Sequence, residues 1–236
     1  MKSGLLLPNI PMPLGVKTQF YPPPANSVLY LPGYPPLGAT IRDFSGQGNH
    51  GTISGATWTR LSSGLWCLSF DGTDDEVGFG NILALTDLTI ELWEYHTSDK
   101  YQYILSKAQG TGYERNYLVH KLDTNVVRFT RCNGVDDVYN LDTTVVASIN
   151  TWNYIVITEI SKAVSIYINA GTPKTGSYAL TVTSTQNPLT IGFCAGDDTL
   201  TRHFIGNIGL CRIYNRALSP AEITSHYNQE RHLFGV

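Results

Sequence analysis

Charge is scarce in this 236-residue chain. Asp, Glu, Lys and Arg make up 15% of it, against roughly a quarter in an average soluble domain. The net charge of −3 gives no electrostatic basis for binding nucleic acid or an acidic membrane. Cysteine is equally sparse. Cys67, Cys132, Cys194 and Cys211 form no Cys-x-x-Cys pair and have no His at ligand spacing, which argues against a zinc site. Cys67 and Cys211 lie in strand-like runs and read as buried free thiols, with one disulfide bond left open. No stretch reaches the ~18 apolar residues of a membrane span. Near the start, Leu5-Leu6-Leu7 is cut short by Pro8, Pro11 and Pro13, so no secretion signal is read there. A βαβ alternation is missing, and so is any internal repeat.

Groups arranged for catalysis are also lacking. Glu91 and Glu94 are three apart on an expected strand and so point to opposite faces. A retaining glycosidase needs its two carboxyls ~5–5.5 Å apart. His50, His96, His120 and His203 have no nucleophile partner of the Gly-x-Ser-x-Gly kind. The expectation is a non-catalytic protein.

Tyr, Thr, Ser, Asn and Gly are plentiful, the composition of a β-sandwich with polar loops. The chain is long enough for one large all-β domain with a substantial core. Its most distinctive stretch is Asp43-Phe44-Ser45-Gly46-Gln47-Gly48-Asn49-His50-Gly51-Thr52. Gly and Asn accept positive φ, and Asp and Ser can close a tight loop by bonding to nearby N–H groups.

Before this loop lies an arm, residues 1–26. Nine of the twelve prolines fall at or before Pro36, and Lys2 and Lys17 are the only charged residues up to Ile41. Such proline density favours an extended chain. The arm also carries Leu5, Leu6, Leu7, Ile10, Phe20 and Tyr21. An extended apolar arm is more stable lying on something, either its own domain or a neighbouring subunit, and docking on a partner is the favoured reading.

After the loop, short strand-like runs follow with turn signals every 8–12 residues, the pattern of a sandwich or barrel. Ser27–Leu31 precedes the loop. A β-prone run begins at Thr52-Ile53, and Ala56–Arg60, Leu65–Phe70, a brief Glu76–Phe79, Leu88–Tyr95, Tyr101–Ser106, Tyr117–Lys121, Asn125–Cys132, Thr151–Ile160, Ala163–Asn169, Leu189–Phe193 and Ile208–Tyr214 come after it. Leu88, Ile90 and Leu92 alternate with Glu91, Trp93 and Tyr95 as in a half-buried strand. Asn133-Gly134 is a two-residue hairpin signal. Ser219-Pro220-Ala221-Glu222 has an N-cap, a proline at N1 and an acid at N3, predicting one short C-terminal helix to about Tyr227.

These runs, in order, resemble a known pattern. Asp43-x-Ser45-Gly46-x-Gly48-Asn49-His50-Gly51-Thr52, Leu68-x-Phe70-Asp71-Gly72-x-Asp74-Asp75 and Leu88-Thr89-Ile90-Glu91-x-Trp93 are similar to the laminin-G-like, concanavalin A-like jelly-roll family. The ending Arg212-Ile213-Tyr214-Asn215-Arg216-Ala217-Leu218-Ser219-Pro220-Ala221-Glu222-Ile223 is the most specific segment. The resemblance covers about 27–228. It implies an all-β fold, a two-sheet antiparallel jelly-roll β-sandwich over 27–236, and a binding or spacer role without catalysis. It also implies a structural Ca²⁺ near the Gly-rich loop, with Asp43 and Asn49 at matching positions. Against that, Ile208-Gly209-Leu210 replaces an acidic group expected near the end of the chain. Asp71, Asp74 and Asp75 form a second acidic cluster, read as a solvated turn.

For ligand binding, aromatic rings stack on sugars or peptides and polar groups fix orientation. Trp93, Tyr95, Tyr101 and Tyr103 lie on neighbouring predicted strands; core packing is the competing role for Trp93. Asp197, Asp198, Arg202 and His203 belong to a polar loop expected at one end of the sandwich. Two functional readings result. One is an assembly subunit of a virion, as in capsid decoration or a tail, joined to neighbouring copies or a major structural protein through the arm. The other is an extracellular or cell-surface carbohydrate-binding or adhesion module. One protein can be both.

Overall fold

The computed structural model describes residues 26–34, 38–108, 115–133, 138–182, 187–195 and 202–236. The arm residues Leu5, Leu6, Leu7, Ile10, Phe20 and Tyr21, and the loop residues Asp197 and Asp198, lie outside these. Two eight-stranded antiparallel sheets face each other. Sheet A holds β1 (Ser27–Leu31), β4 (Thr57–Arg60), β5 (Trp66–Asp71), β7 (Leu88–His96), β12 (Asn153–Ile160), β13 (Ala163–Ile168), β14 (Lys174–Ser177) and β16 (Ile205–Tyr214). Sheet B holds β2 (Thr40–Ile41), β3 (Gly51–Ser54), β6 (Glu76–Gly78), β8 (Gln102–Ala108), β9 (Arg115–Lys121), β10 (Val126–Cys132), β11 (Val138–Val146) and β15 (Leu189–Ile191). This is the jelly-roll sandwich, with one helix, α1 (Pro220–Glu230), near the C-terminus.

The core lies between the sheets. Alternation sends Ile90 and Leu92 of β7, Val119 of β9, Phe129 of β10 and Ile155 of β12 into one continuous apolar cluster. Two charged residues cross this layer together. Arg131 on β10 reaches Glu159 on β12 at 3.2 Å, and its other nitrogens go to Asn116 and to the Leu85 and Thr86 carbonyls. Each donor of a buried guanidinium needs such a partner, because an unpaired one would carry its full desolvation cost.

β16 is the seam of sheet A. One edge pairs with β7. Its other edge is shared, Ile205–Ile208 with β5 and Cys211–Tyr214 with β1. The register against β7 slips between Ile208 and Cys211. Gly206 has φ of +139°, and a Cβ there would stand 2.0 Å from the Tyr95 carbonyl oxygen, so only glycine fits at this crossing.

The helix starts where the sequence places it. Ser219 and Glu222 form a reciprocal capping box. The helix runs on to Glu230, three residues past the predicted end, and a 3-10 turn over Arg231–Leu233 follows. Glu230 explains the extension. It is buried and ion-paired to Arg212 of β16, and Arg212 also reaches Glu91 of β7 at 3.3 Å. His226 on the helix adds a 2.9 Å contact to Glu91.

Three strands lie outside the predicted set: β2, β11 and β14. β11 has only Leu141 buried among its hydrophobic residues, so it carries little apolar alternation to read. The described pairing of β10 with β11 ends at Cys132 opposite Val138, and Gly134 of the expected hairpin turn lies outside the described residues. All four cysteines are free and buried, and burial pushes the Cys67 and Cys211 thiols up to about 12.

Removing Arg212 would leave two carboxylates facing each other away from water. Arg212→Met is expected to cost about 3–5 kcal/mol in urea unfolding. Adding Glu91→Gln and Glu230→Gln to that variant is expected to recover part of the loss. A single variant with an unchanged midpoint would contradict the role given to this cluster.

Candidate functional site

The sandwich has two outer faces, and they differ. That of sheet A is covered over Trp93 by α1 and the C-terminal tail, beside a cleft lined by Leu61, Ser63, Trp152 and Phe234. Trp93 is fully buried there, stacked on Phe234 at 4.3 Å and on Tyr227 at 5.8 Å, and its indole N–H donates to Glu230 Oε2 at 2.9 Å. Tyr154, Trp152 and Leu218 complete a second apolar cluster under the helix and C-terminal tail. Trp93 is therefore a packing residue and not a ligand contact, because α1 takes the place a ligand would occupy. Tyr95 stays half-buried against Trp152, at 5.7 Å.

The sequence also implied one aromatic surface on neighbouring strands. The structure divides it, since β7 belongs to sheet A and β8 to sheet B. Trp93 and Tyr95 are thus on the opposite outer face from Tyr101 and Tyr103. Glu91 and Glu94 do point to opposite faces of β7. Glu91 is held by Arg212 and His226, and Glu94 by His96 and Asn153. Both are buried.

The outer face of sheet B is built from cross-strand rows. Tyr103 on β8 lies opposite His120 on β9, His120 opposite Arg128 on β10, and Arg128 opposite Asp142 on β11. Leu141 and Phe129 point into the core, so Asp142, Asn140, Arg128 and Thr130 alternate outward. Tyr103 and His120 stack face to face at 5.6 Å and form a buried floor. Tyr101 meets both rings edge-on. The Arg202 guanidinium lies over the Tyr101 ring at 4.5 Å. Arg128 and Asp142 form a two-pronged pair at 2.5 and 2.7 Å, with side chains 29% and 41% exposed. Half-exposed Tyr101, Arg202 and Arg128, with exposed Asn140, thus ring a rigid aromatic floor. Such a surface offers a ring face, donors and an acceptor side by side.

His203 sits apart from this floor. It is buried and stacked on Phe193 at 4.4 Å. Tyr101, Tyr103 and Arg202 are therefore the predicted residues brought together. His120, Thr130, Arg128, Asn140 and Asp142 join them unannounced. Charge does not mark Arg128 and Asp142 in the sequence, because Lys121, Asp123, Arg131, Asp136 and Asp137 lie in the same stretch.

Asp43 and Asn49 do not fit a cation site. Asp43 Oδ1 accepts from the Tyr30 and Ser45 backbone N–H groups at 2.9 and 2.8 Å, and Oδ2 from Ser45 Oγ and Asn49 N at 2.8 and 2.9 Å. Asn49 Nδ2 donates to the Val28 carbonyl at 2.8 Å. The carboxylate is surrounded by donors and closes the loop against β1, so Ca²⁺ would meet N–H dipoles rather than free lone pairs. The carboxylates of Asp71, Asp74 and Asp75 do converge, within 4.8 Å of one another. Two of them are engaged in their own turn, Asp75 with Asp71 N and Asp71 with Thr73 N.

Comparison with known proteins matches this architecture. A laminin-G-like family model, described as the concanavalin A-like lectin/glucanases superfamily, matches residues 71–224. The chain belongs to this superfamily. No functionally curated sequence matches it. Among solved structures, the binding domain of the Paraclostridial mosquitocidal protein 1 aligns at 16% identity over 86% of this chain and 52% of that one, with a TM-score of 0.69. The receptor-binding domain of botulinum neurotoxin type G aligns at 18% identity over 87% and 52%, with a TM-score of 0.65. Domain 4 of the extracellular arabinanase AbnA from Geobacillus stearothermophilus, solved with arabinotriose, aligns at 17% identity over 78% of this chain and 90% of that domain, with a TM-score of 0.61. The chain spans about half the length of the toxin binding domains. At these identities the likeness is one of fold.

The site has a pH signature. Burial, together with the Arg128 charge and those of Arg115 and Arg202, pushes the His120 imidazole down to about 3. Between the ordinary His pKa of about 6.5 and that value, the unfolded chain binds a proton the folded one does not, so stability falls as pH is lowered. This one group contributes at most about 1.4 kcal/mol per pH unit. Burial raises Glu91, but the His226 hydrogen bond and the Arg212 charge hold it at about 2, so its contribution is lost only as pH falls from about 4.5 towards 2. His120→Gln is expected to flatten unfolding free energy between pH 6 and 4.5 and leave the steeper loss below pH 4.5. An unchanged slope would show that His120 is charged in the fold.

Proposed function

We propose that the sandwich is a non-catalytic binding module that takes an oligosaccharide on the outer face of sheet B. The observation that carries this reading is the ring of half-exposed Tyr101, Arg202 and Arg128 with exposed Asn140 over the buried Tyr103–His120 stack. A sugar presents a flat apolar face and a rim of hydroxyls, and this surface complements both. Sheet A offers no equal, because α1 and the C-terminal tail cover its aromatic residues. Support comes from the fold relatives. The AbnA domain was solved with arabinotriose, and cell entry of botulinum neurotoxin type C depends on interaction with two ganglioside molecules. A module of this kind works where it meets glycans, at a cell surface, outside the cell, or displayed on a particle.

The arm carries the second part of the proposal. Its proline-rich, apolar and nearly uncharged composition suits attachment to a neighbouring copy or a larger structural protein, as in a virion. In that arrangement the arm tethers and the sandwich displays.

Two tests follow. Screening on an oligosaccharide array, with calorimetry on the hits, is expected to find at least one ligand, and Arg202→Ala is expected to weaken it about tenfold, or ~1.4 kcal/mol. No binding at millimolar sugar would overturn the reading. Deleting residues 1–26 is expected to leave a folded sandwich that still binds sugar and no longer joins its assembly; normal assembly by the truncated protein would overturn the tether.

A further inference from the structure

Across the face of sheet B runs a chain of hydrogen bonds that carbohydrate binding does not by itself require. Tyr101 Oη contacts His120 Nδ1. His120 Nε2 lies 2.8 Å from Thr130 Oγ1, and Thr130 Oγ1 lies 2.7 Å from Asn140 Oδ1. Its middle members are almost fully buried, its ends are not. Tyr101 is half-buried and Asn140 exposed. The chain therefore leaves the surface at Tyr101, passes through the buried floor at His120 and returns at Asn140.

Its protons can run in only one of two senses. A neutral imidazole has one N–H and one lone pair, so accepting at Nδ1 obliges it to donate at Nε2. A phenol O–H is the more acidic donor and an imidazole nitrogen the more basic acceptor, which favours Tyr101 donating to His120. Thr130 then accepts from Nε2–H and has a single proton left, and it points at Asn140 Oδ1. Burial, which pushes His120 down to about 3, keeps the ring neutral at neutral pH. With its carbonyl engaged from below, the Asn140 amide has one orientation, and its Nδ2 group faces outward.

We propose that Asn140 is the residue that reads the ligand on this face, its amide pinned by the Tyr101–His120–Thr130 chain so that its outward N–H donors meet acceptor oxygens of a sugar. The inference rests on the oligosaccharide reading above and adds the specific group and its polarity. Pinning matters because an amide that is free to turn over offers donor or acceptor equally and selects neither. A pre-set amide also loses little rotational freedom on binding. Arg128, opposite Asp142 in the adjacent row, adds further donors on the same side. The preferred partner is thus an oxygen with free lone pairs, such as a ring oxygen, an acceptor hydroxyl or a uronate carboxylate.

The test uses full-length protein with arabinotriose and a ganglioside-headgroup oligosaccharide as probes, followed by calorimetry and by nitrogen-15 NMR of the imidazole. Wild type is expected to bind one of them and to show His120 protonated at Nε2. Asn140→Asp, which replaces the donors with acceptors, is expected to weaken binding at least tenfold. Thr130→Val, which cuts the chain but leaves Asn140 in place, is expected to lose about threefold or more, and Thr130→Ser to restore it. Wild-type binding that Asn140→Asp and Thr130→Val leave intact overturns this proposal alone, as does a His120 ring protonated at Nδ1. If wild type binds neither these probes nor any array oligosaccharide, the oligosaccharide reading falls and this inference falls with it.

Discussion

Arg212 holds two carboxylates from different parts of the chain, Glu91 on β7 and Glu230 at the end of α1. All three groups are buried. Each alone would be costly away from water, and together they offset that cost through the two Arg212 Nη groups, with Arg212 Nε left unpartnered. The consequence is geometric. The helix is fixed across the outer face of sheet A, and Trp93, Tyr154 and Phe234 pack beneath it. A face that could have been an aromatic binding surface becomes a second core. On sheet B, Tyr101, Arg128 and Arg202 stay half-exposed and Asn140 exposed above a buried floor.

On sheet B the site emerges from register rather than from a loop. Four strands in succession place Tyr103, His120, Arg128 and Asp142 opposite one another. Strand scaffolds hold such groups with little freedom, and a stacked pair beneath them adds stiffness. A binding surface of this kind gains selectivity from the orientation of a few polar groups, while the aromatic rings supply contact area. Burial makes His120 neutral, and a neutral ring can transmit a fixed hydrogen-bond sense from Tyr101 to Asn140.

Much of the fold was legible in the sequence. The β7 alternation and the Ser219–Glu222 cap are local patterns with local causes, and both elements start where those patterns place them. The site was legible only in part. Tyr101, Tyr103 and Arg202 stood out as residue types, but Trp93 looked equally promising. Alternation tells which face of a strand a side chain takes, not whether another element covers that face. The separation of β7 from β8 was hidden for a related reason, since in a jelly roll consecutive strands can enter different sheets. β11 was missed because its outward residues are polar and its inward ones few. Asn140 and Asp142 gained meaning only once that strand was paired with β10. In the Gly-rich loop, the residue implied to hold Ca²⁺ is engaged by the loop's own donors. Asp43 gathers N–H donors from both sides and closes the loop onto β1.

The central proposal is that sheet B is the recognition face, with α1, held by Arg212, covering Trp93 and Tyr154 on sheet A. Amide and side-chain chemical-shift mapping during titration with an oligosaccharide that binds tests it most directly. The largest saturable changes are expected at Tyr101, Arg128, Asn140 and Arg202, with Trp93 and Tyr154 unmoved. Changes centred instead on the cleft lined by Leu61, Ser63, Trp152 and Phe234 would contradict it.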